Sequence, residues 1–255
     1  MLFRSADKRV LPESDAPFFD EKIVYLPDCY QANDDKRAIG IVPTRESCGL
    51  PEDAVVFASF NNSYKYTPAL FDVWMRILNK VPGSVLWLLE SNRGMAANLR
   101  REAQSRGVTP ERLVFAPSIA TEDHLARQSL ANIFLDALPY NAHTTASDAL
   151  WAGLPVVTCK GSTFPGRVAS SLLETMGMGE LVTATVTEYE ALASRLGNDK
   201  DAISALKTKL RECRALSPLF QTERFTRHLE AAYRKMWERH QNGLTPESFS
   251  LAPQV

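Results

Sequence analysis

Residues 135–158, LDALPYNAHTTASDALWAGLPVVT, read as strand, polar loop, helix and strand. Ile133, Phe134 and Leu135 lead in as the short apolar run that a buried strand needs. Asn141, Ala142 and His143 then break the pattern. Thr144 or Thr145 can cap a helix that residues 146–152 fill and Gly153 ends. Pro155 follows at once, and residues 156–158 read as the next buried strand. This order puts His143, Thr144 and Thr145 at a helix N-terminus on the carboxyl edge of a parallel sheet. Unpaired N–H groups and the helix dipole favour a phosphate in such a place. Asp148, one turn inside, can reach a ribose hydroxyl.

The same alternation extends on both sides. Upstream, AVVFASF at 54–60, SVLWLLE at 84–90 and RLVFAP at 112–117 read as strands. Between them, Thr67-Pro68 opens a helix to about Lys80, and residues 95–106 form another that Gly107 ends. Thr121 caps a short helix through Gln128. Downstream, residues 165–176 read as a helix stopped by Gly177, and LVTA at 181–184 as a sixth strand. Regular strand–helix alternation predicts an α/β fold, a Rossmann-like doubly wound parallel sheet covered by helices on both faces. Helices alone follow: one capped by Thr187, one over 199–216 and a long amphipathic one over 222–240. Residues 1–53 look irregular, with KIVYL at 22–26 their one strand, and would not fold without something to lie against. The expected organisation is therefore an N-terminal connecting segment (1–53), a Rossmann-like lobe (54–220), a C-terminal helix (221–240) and a flexible tail (241–255).

Composition narrows the function classes. Twenty-nine basic and 30 acidic residues leave a net charge of −1, which argues against a nucleic-acid or acidic-membrane partner. No apolar stretch is long enough to span a bilayer, and MLFRSADKRVLPESD lacks the apolar run of a signal peptide. The four cysteines, Cys29, Cys48, Cys159 and Cys213, form no Cys-x-x-Cys pair. Zinc ligation and a disulfide framework are disfavoured, and a reducing cytoplasm is expected.

Ligands of doubly wound sheets bind outside the carboxyl ends of the strands. The loop after the first strand carries Asn61, Asn62 and Lys65, and a lysine there can meet phosphate charge as a point cation. A lone lysine is ordinarily a solvated surface group; its place in this loop favours function. His124 lies in the first turn of a helix after the third strand, where its ring could stack on a base. Arg167, at the start of the helix over 165–176, reads either as a residue backing the site or as an ordinary surface ion-pair residue, with the second favoured. Gly-x-Gly-x-x-Gly and P-loop patterns are absent, so dinucleotide oxidoreductases and P-loop hydrolases lose support. No Asp-x-Asp pair is placed to clamp a metal and a diphosphate. A site without metal or cofactor, with Lys65 and helix-terminal N–H groups facing a diphosphate, is the expectation.

The strings FNNSYKYTP, PGSVLWLL, ERLVFAP, HTTASDALWAGLPVVT and SPLFQTERF resemble the O-GlcNAc transferase and SPINDLY-type proteins, glycosyltransferase family 41. The resemblance covers about residues 22–240 and implies the second lobe of a two-lobed GT-B enzyme with UDP-N-acetylglucosamine as donor. By resemblance, Lys65 is the catalytic residue, stabilising the departing diphosphate. His143, Thr144 and Thr145 would hold the donor's phosphates, Asp148 the ribose and His124 the uracil, with Asn62 a further substrate-binding residue. Asn62 stands where relatives often carry a longer Gln, and Thr121 where some carry a Lys; either change would lower donor affinity without altering its class. The acceptor would be Ser or Thr of a protein. The resemblance also implies a first catalytic lobe and helical repeats elsewhere, so that this chain is a fragment or works with a separate lobe. The competing expectation is a non-catalytic UDP-sugar-binding module. An epimerase is a third, which HTTASDALWAGLP argues against.

Overall fold

Val56, Phe57, Ala58 and Ser59 are buried on both faces, so a near-continuous apolar run, not an alternating one, marks the central strand. The computed structural model describes residues 3–253. In chain order the strands and helices are β1 (Phe3–Ala6), β2 (Lys22–Tyr25), β3 (Val56–Ser59), α1 (Pro68–Lys80), β4 (Val85–Leu89) and α2 (Met95–Gln104). Then come β5 (Leu113–Ala116), α3 (Thr121–Gln128), β6 (Ile133–Leu135), α4 (Thr144–Trp151), β7 (Val156–Cys159) and α5 (Val168–Thr175). The chain closes with β8 (Val182–Thr183), α6 (Val186–Gly197), α7 (Lys200–Leu216), α8 (Thr222–Gln241) and β9 (Phe249–Ser250).

Six strands form one sheet in the order β5-β4-β3-β6-β7-β8, every neighbouring pair parallel. This is the doubly wound arrangement that the alternation predicts. The winding reverses between β3 and β6, where Phe57 faces Ile133 and Ala58 faces Phe134. A crevice opens at such a switch point, beyond the carboxyl ends of the strands. Trp74, Trp87, Phe57, Phe134 and Tyr189 fill the core between sheet and helices. At Gly197, the last residue of α6, an added Cβ would stand 2.6 Å from the Phe57 ring. Only glycine lets that helix end lie so close to the sheet.

Helix starts follow local chemistry. Thr67 caps α1 by accepting from Leu70 N, and Asp199 caps α7 by accepting from Ala202 N. For α6 the cap is Thr185, not Thr187. Thr185 accepts from Glu188 N, and the Glu188 carboxylate accepts from Thr185 N, so the box closes two residues earlier.

The ends of the chain depart most from expectation. The N-terminal segment carries two strands, with β1 beside β2, where the sequence reading has one. Residues 242–253, the described part of the expected tail beyond α8, are not free: β9 pairs in parallel with β2, Leu251 N donates to Tyr25 O at 3.0 Å, and Ile23 N donates to the Ser248 hydroxyl at 2.8 Å. Residues 1–2 and 254–255 of these two segments lie outside the described residues. Arg167 is not a surface residue. It is 8% exposed, donates to the carbonyls of Gly161, Ser162 and Val10, and pairs with Asp15. The Asp7 carboxylate accepts from Arg9 N, Val10 N, Tyr30 N and the Ser171 hydroxyl, which fastens the N-terminal segment to α5. The support that the segment needs is thus the lobe itself.

Deleting residues 245–255 removes β9 and bares the edge of β2. Unfolding free energy should fall by about 1–3 kcal/mol, read from urea denaturation of the full and shortened chains. An unchanged midpoint would return these residues to a frayed tail.

Candidate functional site

Two loops meet at the switch point. The first follows β3. Asn62 accepts from Tyr64 N and so starts the short 3-10 turn Ser63–Lys65. That turn sends the Lys65 side chain back across the sheet edge, where Nζ donates to Asn141 O at 2.8 Å and lies 3.5 Å from Asn61 Oδ1. The ammonium also sits 4.5 Å from the centre of the Tyr140 ring. Asn62 itself is exposed at the mouth. Beneath it, Asn61 is buried, and its Oδ1 also accepts from the Thr145 hydroxyl at 2.9 Å. One amide oxygen therefore joins Lys65 to the start of α4.

The second loop follows β6 and is shaped by Asp136, which is fully buried. Its Oδ1 accepts from Ala137 N at 2.7 Å and Ala142 N at 2.6 Å, and its Oδ2 from the Thr158 hydroxyl at 2.6 Å. Three donors on one carboxylate fold residues 137–142 into a tight cradle. Asn141 Nδ2 closes it by donating to Ala137 O. The cradle delivers Asn141 O to Lys65 and sets His143 as the N-cap of α4. Neither Thr144 nor Thr145 is the cap, and His143 makes no side-chain capping bond. Its ring instead stacks on Tyr140, centroids 5.0 Å apart, with Nε2 3.3 Å from Pro165 O. Ala146 N and Ser147 N turn back to His143 O, while the N–H groups of Thr144 and Thr145 have no hydrogen-bond partner among the described residues. Thr144 is exposed. Two orphan donors at a helix start, with an ammonium beside them, form a receptor for an anion.

Asp148 lies one turn along α4 and is not free. Arg37, from the N-terminal segment, donates to its Oδ1. His124 stands apart from these groups, in α3. Its Nδ1 faces the Arg127 guanidinium, with Nη2 at 2.8 Å, and its ring meets Phe60 edge-on at 5.0 Å. Phe60 immediately precedes Asn61, so the two halves of the site share one strand end. Arg127 also lines a cavity of about 460 Å³ walled by Trp87, Phe115, Pro117 and Ile119.

Burial works against charge throughout. It pushes Lys65 below the ordinary lysine range, opposed by the Asp136 charge. It lifts Asp136 to about 7, against the pull of Thr158, the two main-chain donors and Lys65. It lowers His143 and raises Asp148, with Arg37 holding the latter down. Among the described residues no group of three or more His, Cys, Asp and Glu could hold a metal ion. The groups that sequence reading missed are Arg37, Asp136, Tyr140 and Arg127, while Asn61 enters that reading only as a member of its loop. Asp136 had a signal, as the residue directly after a buried strand; Arg37 had none in its local pattern.

Residues 29–229 match the family described as Glycosyl transferase family 41. The Arabidopsis thaliana protein named "Probable UDP-N-acetylglucosamine–peptide N-acetylglucosaminyltransferase SEC" is 38% identical over 96% of this chain and 26% of its own length. The Caenorhabditis elegans UDP-N-acetylglucosamine–peptide N-acetylglucosaminyltransferase is 38% identical over 80% of this chain and 18% of its own. The chain thus spans about a quarter or less of these curated relatives. Among solved structures, a mutant O-GlcNAc transferase of Thermobaculum terrenum superposes with a TM-score of 0.83 at 33% identity, over 93% of this chain and 45% of that one. Sucrose-phosphate synthase of Thermosynechococcus elongatus, at 16% identity and a TM-score of 0.64 over 92% of this chain and 58% of that one, shares the fold alone.

Burial first, and then the neighbouring Arg127 charge, lower His124 from 6.5 to about 4. The unfolded chain then binds this proton more tightly than the folded one. Stability is untouched by this group above about pH 6.5 and falls as pH drops toward 4. NMR titration should find the His124 ring neutral at pH 5. A midpoint at the ordinary histidine value would show a ring in open solvent.

Proposed function

The chain belongs to glycosyltransferase family 41, and from that premise we propose that it is the donor-binding lobe of an inverting transferase. The transferase moves N-acetylglucosamine from UDP-N-acetylglucosamine to Ser or Thr hydroxyls of proteins. One observation carries the reading: the Lys65 ammonium and the unpartnered N–H groups of Thr144 and Thr145 converge at the switch point of the sheet. In this reaction the acceptor oxygen attacks the anomeric carbon as the bond to the diphosphate breaks. The diphosphate leaves with one more negative charge, and the acceptor proton passes to a base outside this chain. Preorganised positive potential at the leaving group lowers that barrier. Lys65 is placed to supply it. His143, Thr144 and Thr145 hold the phosphates, Asn62 lies at the open mouth on the donor side, and Asp148 takes the ribose. His124 and the aromatic-walled cavity beside Arg127 suit the flat base. This arrangement meets the diphosphate charge without a metal ion.

The acceptor site, the base and the remainder of the donor pocket belong, on this reading, to a first lobe with helical repeats. A second reading, a UDP-sugar-binding module that does not transfer, is favoured by one observation: the groups assembled here face only the nucleoside diphosphate. Both place the protein in a reducing cytoplasm, away from nucleic acid and membrane. The four cysteines are free, and no helix of the described residues is long and apolar enough to cross a membrane.

Calorimetry should show UDP binding to the chain in EDTA, with no gain on adding magnesium or manganese; a strict metal requirement would sink the charge argument. Asp148→Ala should weaken uridine binding by about 1–3 kcal/mol, the cost of losing a hydrogen-bonded partner. Lys65→Ala should leave uridine affinity nearly intact and reduce turnover when a first lobe is present, because leaving-group charge peaks in the transition state. Loss of both in equal measure would place Lys65 in ground-state binding instead. Robust sugar transfer by the chain alone would show that the catalytic groups have been misassigned.

A further inference from the structure

Residues 33–37 cross α4 as a strap, and nothing in their sequence marks them as part of a site. Three side chains on one face of α4 hold it. Ser147 donates to Asn33 Oδ1, Trp151 Nε1 donates to Arg37 O at 3.3 Å, and Asp148 receives Arg37 Nη1. The far side of the strap is tied to the start of α8. Asn33 Nδ2 donates to Leu219 O, the Thr222 hydroxyl donates to Asn33 O, and Thr222 N donates to Asp35 Oδ2. The Arg37 guanidinium lies over the Trp151 ring, 5.5 Å from its centre, and its Nε donates to Asp34 O. The pair is sheltered: the side chains of Arg37 and Asp148 are 18% and 15% exposed. A guanidinium fixed by a ring, a carbonyl and a carboxylate is held in one orientation.

We propose that Arg37 is a positioning residue for the donor's ribose: it anchors one carboxylate oxygen of Asp148 and leaves the other for a hydroxyl. The proposal rests on the donor-site reading, since Asp148 is the group it serves. Two effects follow from the geometry. The strap fixes the Asp148 rotamer, so the free oxygen points one way before the ligand arrives. The cation also keeps a half-buried carboxylate in its accepting, ionised form, which burial alone opposes. Arg37 is the charge felt at the Asp148 carboxyl; of the elements packed on α4, α3 carries Glu122, Asp123, His124 and Arg127, and α5 carries Glu174. Thr144–Trp151 contains no other ionisable residue. From the strap comes Arg37, while Asp34 offers Arg37 only its main-chain carbonyl. From α7, Arg214 reaches the Trp151 ring and carbonyl. At the N-cap, His143 stacks on Tyr140, and Lys65 faces Asn141 O.

The test is uridine, UDP and inorganic pyrophosphate binding by the 255-residue chain, measured at pH 8 and pH 6. The variants are wild type, Arg37→Ala, Arg37→Lys, Asp148→Ala and the Arg37→Ala/Asp148→Ala pair, each checked for an unchanged circular dichroism spectrum. Wild type sets the reference ratio of uridine affinities at the two pH values, which includes any titration of Asp136 in that range. Arg37→Ala should lose uridine affinity relative to wild type by a larger factor at pH 6 than at pH 8. Arg37→Lys should restore the wild-type ratio, and pyrophosphate binding should change no more than in wild type. The double variant should bind uridine no more weakly than Asp148→Ala. A merely structural strap would instead cost the same at both pH values, add to the Asp148→Ala loss, and weaken pyrophosphate too; that result, or unaltered uridine affinity in Arg37→Ala, overturns the proposal. If Arg37→Ala does not fold, a shifted pH profile in Arg37→Gln decides in its place. Wild type that binds neither UDP nor uridine, or Asp148→Ala with full affinity, overturns the donor-site reading together with the proposal. An effect of Asp148→Ala without one at Arg37 overturns the proposal alone.

Discussion

The Asp136 carboxylate, sealed at the end of β6, is the constraint on which the site depends. It accepts two main-chain N–H groups from its own loop and one hydroxyl from β7. Without it, Ala137 N and Ala142 N would be unpaired, and the loop between them would have no reason to turn so tightly. That turn decides where Asn141 O meets Lys65, how Tyr140 stacks on His143, and where α4 begins. The Tyr189 hydroxyl, fully buried, donates to Asp136 O and fixes the same corner from α6. A buried charge that organises donors around itself is costly to create and gives one geometry in return.

The rest of the site is held away from its electrostatic optimum. Lys65 is half-buried, which disfavours its charge and which the Asp136 carboxylate only partly offsets, and the first two N–H groups of α4 have no partner among the described residues. Asn141 Oδ1 is buried without a hydrogen bond as well. Such unmet groups raise the free energy of the empty protein and are stabilised when a ligand of matching charge arrives. A diphosphate offers oxygens for the donors and charge for the lysine. Evolution of a binding site and evolution of a stable fold pull in opposite directions here, and the site shows the first.

Stability is recovered at a distance from the site. The N-terminal segment is not a loose linker but a band tied to α5 through Asp7, to the 161–162 loop through Arg167 and to α4 through Arg37. Its two strands and β9 build a second small sheet that draws both ends of the chain together. The clasp at Thr222 then couples the strap to α8, so Asp148 is backed by elements that are far apart in sequence.

The sequence by itself determined the doubly wound lobe, because its signals are local. Apolar runs with the strand period, Thr67-Pro68 before α1 and the glycine after α4 act over a few residues. The bounds of β6 therefore coincide with their reading, Ile133–Leu135, and α3 ends at Gln128 as read, although its cap is Ala120 and not Thr121. Lys65, Thr145 and His143 could be gathered before any coordinates, since parallel topology sends every loop after a strand to one edge. Only the tertiary structure decided what those residues touch. Asp148 meets Arg37 from 111 positions away, and Ile23 meets Ser248 from 225. Thr145 gives its hydroxyl to Asn61 and leaves the cap of α4 to His143. Contacts of that span depend on which surfaces pack, and packing is set by the whole core rather than by any window of sequence.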